Sequence, residues 1–243
     1  MKVASRIDAA CSAVVVSIGM TARATSTPDR AKKRAYHHGD LARSLVTAAL
    51  ELIAKHGPES LTLREVTAAV GVSHGAAYRH FADKEALLAA VAEEGYRGLA
   101  QRLASAANGA NVYPNARIRA LGAAYVEFAM ARPAHYRVMW GPRVNEDGRF
   151  PSLEVAISEA FALVIAEFER GQASANFRDD EPARDLAIAF WVAAHGFVEL
   201  VLRRRLKVKS EATAVAYFGK LLIPFLDGLA PASTARPKKP KRM

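Results

Sequence analysis

Residues 62–81 read TLREVTAAVGVSHGAAYRHF, and this stretch decides the fold. Thr62 followed by Glu65 is a capping box. The Thr62 hydroxyl accepts from the Glu65 amide while the Glu65 carboxylate reaches back to the Thr62 amide, which starts a helix over about 63–70. Gly71 can take the left-handed turn that stops it. Ser73 is placed to cap a second short helix running to about residue 80. Two helices joined by a short glycine turn form a helix-turn-helix. The second helix is small at its front end (Gly75, Ala76) and rich in hydrogen-bond donors at its back end (Tyr78, Arg79, His80). A helix that enters a DNA major groove by its N-terminal end needs this asymmetry, with little bulk at the base edges and donors along the phosphates. The same spacing also fits a small helical hairpin with no partner.

Outward from this stretch the pattern stays helical. Leu41, Leu45, Ala48, Ala49 and Leu52 share one face of a helix over about 39–56, stopped by Gly57-Pro58. Asp83 caps a long helix over about 83–107, and helices are expected near 115–131, 133–140, 152–170, 186–202 and 211–229, the last kinked by Pro224. No segment shows sustained alternation of apolar and polar residues. The fold class is therefore all-α: an N-terminal three-helix unit with the helix-turn-helix, followed by a larger helical bundle. The run at 186–202 is short of a membrane span and contains His195 and Glu199, so it reads as a core or interface helix.

Composition limits the function. The chain has 243 residues, and 51% are hydrophobic, enough for a sizeable core. The single cysteine, Cys11, allows no internal disulfide. The net charge of +10 lies in the ends. Residues 1–35 carry seven basic and two acidic side chains, residues 231–243 carry five basic and none acidic, and 22 of each remain between. These ends read as a disordered basic arm (1–35) and a disordered basic tail (230–243), either solvated or reaching for a polyanion. An apolar run, 9–20, follows Lys2 and Arg6 and faintly resembles a signal peptide. Asp8 and its Ala/Ser-rich composition oppose that reading, and a start at Met20 is the other explanation. Residues 36–84 are neutral, with five basic and five acidic side chains, and hold five of the seven histidines, His37 and His38 among them. There is no GxGxxG, GxSxG, HExxH or phosphate-binding loop, so no catalytic residue, metal or cofactor is expected.

YHHGDL at 36–41 and LTLREVTAAVGVSHGAAYRHFADKEALL at 61–88, in this spacing, resemble the DNA-binding domain of the tetracycline-repressor (TetR/AcrR) family of bacterial regulators. The C-terminal part resembles the branch of that family named for a Trp-His-Gly signature, spread here as Trp191, His195 and Gly196. Ala76 departs from the Thr or Ser usual in the family. The resemblance implies a cytoplasmic, sequence-specific DNA-binding regulator, a repressor released from its operator by a small molecule. A DNA-binding dimer without an effector is the alternative. Residues 36–84 would bind double-stranded operator DNA, and 85–229 would bind ligand and dimerise. Thr62 and Arg64 would anchor the first helix of the motif to the backbone. Ser73, His74, Gly75 and Ala76 would stand at base edges, and Tyr78, Arg79, His80 and Lys84 along phosphates. The pocket for a small apolar or aromatic effector would be lined by Tyr125, Phe128, Met139, Trp140, Phe161, Trp191 and His195. Phe218, Leu222 and Phe225 would form the homodimer interface, with no membrane involved. His195 is open to two readings, a satisfied core histidine or the pocket's main polar group.

Overall fold

Long apolar stripes interrupted by glycine, proline and capping residues give ten helices and no strand among the described residues, which are 41–110, 113–142 and 144–231 of a computed structural model. The arm 1–35, His37, His38 and the tail from residue 232 lie outside them. The helices are α1 (Leu41–His56), α2 (Leu63–Val70), α3 (His74–Tyr78), α4 (Lys84–Gly109), α5 (Pro114–Ala131), α6 (Pro133–Met139), α7 (Pro151–Ala173), α8 (Ala183–Leu202), α9 (Glu211–Leu221) and α10 (Ile223–Gly228).

Local chemistry sets these boundaries. The capping box at Thr62 is complete: the Glu65 amide donates to the Thr62 hydroxyl at 3.2 Å, and the Thr62 amide donates to the Glu65 carboxylate at 3.0 Å. Gly71 adopts φ +76°, and its amide closes α2 on the Thr67 and Ala68 carbonyls. The Asp83 carboxylate accepts from the Ala86 amide at 2.8 Å, which holds its pKa below the usual carboxylate range, with help from Arg149. Proline occupies the first turn of α5, α6, α7 and α10. In that position its missing N–H costs no helical hydrogen bond. The kink expected at Pro224 is a break: α9 ends at Leu221 and α10 starts at Ile223.

The 26-residue α4 organises the molecule, packing against α1, α5, α6 and α7. Small residues allow the close approaches. A Cβ on Gly95 would stand 2.6 Å from the Met139 sulfur, and one on Gly122 would stand 2.8 Å from the Phe218 ring. α8 buries Ala187, Phe190, Ala194, Phe197 and Val198 against α5 and α7, consistent with a core helix, and α9 lies across α5. A buried ion pair joins α5 to α7. The Arg117 guanidinium donates from Nε at 2.5 Å and from Nη2 at 2.9 Å to the two oxygens of Glu167. The two side chains keep only 11% and 6% of their exposure.

Candidate nucleic-acid interface and ligand cavity

The helix-turn-helix has an inner and an outer face. Leu63, Val66, Thr67, Ala77 and Phe81 are buried against Leu45, Ala49 and Ile53 of α1 and the start of α4. Ala76 is also turned inward, with 9% exposure, so its side chain stands on the core side of α3 and not among the outward groups. Ala76-Ala77 is the buried edge of this five-residue helix.

Arg64, Ser73, His74, Gly75, Tyr78, Arg79 and His80 are exposed. Ser73 makes no side-chain cap hydrogen bond, so its hydroxyl is uncommitted at the front of α3. Nothing lies within 4 Å of where a Cβ on Gly75 would stand. The His74 and Tyr78 rings, one turn apart, meet edge to face at 4.9 Å, which fixes the direction of a half-exposed phenol. Thr62 is exposed, but its hydroxyl is engaged in the capping box and also donates to Glu65 at 2.7 Å. Lys84 opens α4 and donates from Nζ to the Glu59 carbonyl at 2.6 Å, which ties the α1–α2 turn to the α4 N-terminus.

One group that the sequence reading missed stands beside the start of α4. Arg149, in the α6–α7 connection, reaches Asp83 at 3.1 Å and Glu85 at 2.7 Å, the two acids that flank Lys84. It offsets the charge of these two carboxylates. Asn145 supports the same connection, donating from its backbone to Glu85 and from its side chain to Glu154 at 2.8 Å. Nothing in the local sequence marks the contacts of Asn145 and Arg149 with Asp83 and Glu85, which join residues 60 to 66 positions apart.

Between α4, α5, α7 and α8 lies a small apolar cavity of about 20 Å³. Tyr125, Trp140, Phe161 and Trp191 border it, together with Tyr96, Leu99 and Phe190. Three expected wall residues stand elsewhere. Phe128 packs beside Gly98, and Met139 fills the notch at Gly95. His195 does not border the cavity itself, and its ring meets those of Trp140 and Trp191 at centroid distances of 5.2 and 5.5 Å. Its Nδ1 lies 2.7 Å from the Tyr136 hydroxyl and 3.3 Å from the Tyr125 hydroxyl, and its ring stacks on Tyr136. Burial lowers the His195 pKa, opposed by Glu199 one turn away. Neutral imidazole accepting at Nδ1 from Tyr136 fits both observations. Burial also pushes the Tyr125 hydroxyl up to about 12 and raises Tyr136 further, so both remain protonated donors.

The expected dimer residues also divide. Phe218 and Leu222 are 3% and 1% exposed and point into their own protomer, Phe218 against Gly122 and Phe197. Phe225 is half-buried beside Phe168 and Phe190. The apolar groups that α8, α9 and α10 leave exposed are Val192, Leu200, Tyr217, Leu221 and Ile223.

Two family models match the chain. Residues 45–91 match that of bacterial regulatory proteins of the tetR family, and residues 118–221 match the tetracyclin repressor-like C-terminal domain. The HTH-type transcriptional repressor Rv3405c of Mycobacterium tuberculosis is 36% identical over 52 residues, which are 21% of this chain and 28% of that repressor. Only that fraction of the curated relative's length is spanned. Among solved structures, a protein of unknown function from Rhodococcus sp. RHA1 superposes with TM-score 0.67 at 30% identity, covering 80% of this chain and 98% of that one. A tetR-family regulatory protein from Rhodococcus RHA1 superposes with TM-score 0.64 at 21% identity, covering 79% and 97%.

Proposed function

The chain belongs to the tetR family of bacterial regulatory proteins, and from that premise we propose that it is a cytoplasmic, operator-binding transcriptional repressor. Residues 36–84 bind DNA, and 85–229 dimerise and take a small effector. The observation that carries this reading is the outer face of α3. Ser73, His74 and Tyr78 project from it while the space over Gly75 is open, so the front of the helix can approach base edges closely. The spread Trp191, His195 and Gly196 support placement in the Trp-His-Gly branch. Footprinting the purified protein on DNA flanking its own gene tests the whole reading. Two inverted half-sites are expected for a two-fold dimer.

Lys84 is a phosphate contact in this reading, placed at the N-terminus of α4 where the helix dipole adds to its charge. Lys84→Ala is expected to weaken specific and non-specific DNA binding alike. The slope of log affinity against log salt should flatten by about one unit for one lost phosphate contact. A changed sequence preference with an unchanged salt slope would contradict the assignment.

Dimerisation uses the exposed apolar groups of α8 and α9 and not the buried Phe218 and Leu222. Leu221→Glu is therefore expected to weaken the dimer by about thirtyfold or more, the effect of losing a residue worth at least ~2 kcal/mol at an interface. Sedimentation at micromolar concentration should then show monomer with its helical content intact. Phe218→Glu should unfold the protomer instead, because it places a carboxylate in the core. A Leu221→Glu variant that sediments as the parent does would move the interface elsewhere.

The cavity holds about one water, far below the 300–1,000 Å³ typical of a ligand site. This specific observation favours the second reading, a DNA-binding dimer with no effector, unless the cavity opens. Operator release that depends on an added small molecule separates the two.

A further inference from the structure

The turn between α8 and α9, residues 203–209, reads RRRLKVK and holds five basic side chains and no acid. Residues 85–230 carry 17 basic and 17 acidic side chains, so outside this turn that part of the chain is net acidic. Local bonding fixes the turn. Arg204 takes the left-handed conformation, φ +56°, and the amides of Arg205 and Leu206 both donate to the Leu200 carbonyl, at 2.8 and 2.9 Å. Leu206 and Val208 pack half-buried against the core, and the alternating Arg205, Lys207 and Lys209 stand exposed. Arg203 pairs with Glu199 at 2.6 Å, while among the described residues Arg204, Arg205, Lys207 and Lys209 form no ion pair. Cations suit a helix C-terminus, but that attraction fades beyond the last turn. α8 ends at Leu202, so the helix dipole does not account for charges carried on to residue 209.

The turn lies at the end of the bundle that carries the helix-turn-helix unit. Glu199 and Arg203 of α8 wall a cleft of about 430 Å³ together with Trp140, Arg137, Lys55 and the turn 57–59. Lys55 and Arg137 are exposed and extend the basic surface. The exposed acids Asp179, Asp180, Glu181 and Asp185 gather at the other end of α8. A helix of this length places them about 30 Å away. Charge is thus separated along α8, with the positive end beside the DNA-reading unit. The turn also joins the two helices whose exposed Val192, Leu200, Tyr217 and Leu221 form the dimer face given above. A two-fold axis through that face brings both copies of the turn close to the axis, at the end where both helix-turn-helix units meet one duplex. Five basic side chains from each protomer then crowd together, and their mutual repulsion favours a polyanion between them.

We propose that the paired α8–α9 turns are a second DNA-binding surface, which holds the phosphates of the stretch between the two operator half-sites. This inference rests on the operator-binding dimer reading and goes beyond it. Residues 36–84 are neutral, so α3 reads bases while its own unit supplies little of the attraction that draws in any duplex. The turn supplies that attraction where no base is read, since its Arg and Lys side chains need phosphates and not a sequence.

The triple substitution Arg205→Gln/Lys207→Gln/Lys209→Gln removes exposed charges and keeps Leu206, Val208 and the left-handed Arg204. Anisotropy with the full-length protein uses the footprinted operator fragment, with natural linkages or with uncharged methylphosphonates between the half-sites. At about 0.1 M salt the triple variant is expected to bind about tenfold or more weaker, with a salt slope flatter by about two units, one phosphate per protomer. Uncharged central linkages should cost the parent about tenfold and the variant less than about threefold, while the same linkages outside the footprint cost neither. Without DNA at low salt, the variant should dimerise about threefold or more tightly than the parent, because like charges are removed from the axis. A variant that loses as much as the parent from the central linkages, or that keeps the parent's operator affinity and slope, overturns the inference. So does a variant dimer no tighter than the parent's. A variant whose only loss is flotation with phosphatidylglycerol vesicles assigns the turn to a lipid surface and overturns it too. A parent with no footprint refutes the operator reading and this inference together, whereas a footprinting parent indifferent to the central linkages refutes this inference alone.

Discussion

Gly75→Leu is expected to reduce operator binding to the level of non-specific DNA, a loss of about a thousandfold or more, while the free protein stays folded. The position is exposed, and a Cβ there meets nothing within 4 Å, so the leucine costs no internal packing. Replacing glycine within a helix by leucine removes backbone freedom from the unfolded chain and is neutral or slightly stabilising. The whole penalty falls on the complex. Leucine adds bulk where α3 must come close to base edges, between the exposed Ser73 and His74 on one side and Tyr78 on the other. Anisotropy titrations with operator and scrambled DNA, alongside a thermal melt, separate the two effects. Gly75→Ala, adding one methyl, should lose far less. Operator affinity within about threefold of the parent in the leucine variant would mean that α3 does not enter the groove by this face.

The second large effect is on stability. Glu167→Ala is expected to destabilise the protomer by about 3 kcal/mol, because it leaves the Arg117 guanidinium buried without its carboxylate. The estimate sits at the lower end of the range for breaking a buried pair, since Arg117 keeps 11% side-chain exposure and can reach some water. Arg170, 3.5 Å from Glu167, is 57% exposed and loses little. For a chain of this size the melting temperature should fall by about 6–12 °C at fixed protein concentration. Replacing both partners, Arg117→Met with Glu167→Leu, should recover most of the loss, since an apolar pair of similar volume carries no desolvation cost. A single variant that melts with the parent would show that the pair is solvated in solution.

The helix-turn-helix was legible because its determinants are local. The Thr62–Glu65 capping box, the left-handed Gly71 and the Asp83 cap each act within three residues, and α2 spans the expected 63–70. Helix ends were legible where proline or glycine stands, less so where they depend on packing. α7 runs on to Ala173 because Phe177 folds back onto Gly171, where a Cβ would collide with its ring, and residue spacing does not announce that contact.

The candidate site was legible only in part, and the residues show why. Val215, Phe218, Leu222 and Phe225 form a true apolar stripe, but an apolar stripe is equally suited to its own core or to a partner. The tertiary structure turns Phe218 and Leu222 inward and leaves Tyr217 and Leu221 outside. His195 carries no sign in the chain that Tyr136, 59 positions earlier, meets its Nδ1, nor Arg149 that it will bridge Asp83 and Glu85, 66 and 64 positions away. By itself the sequence determined the all-helical class, the motif and its outward donors, since period, capping and turn chemistry are properties of neighbours along the chain. Only the tertiary structure decided which polar groups are already satisfied, which apolar groups remain exposed, and that Trp140 borders both a small apolar cavity and a larger cleft, because those depend on pairs of residues that the chain brings together from far apart.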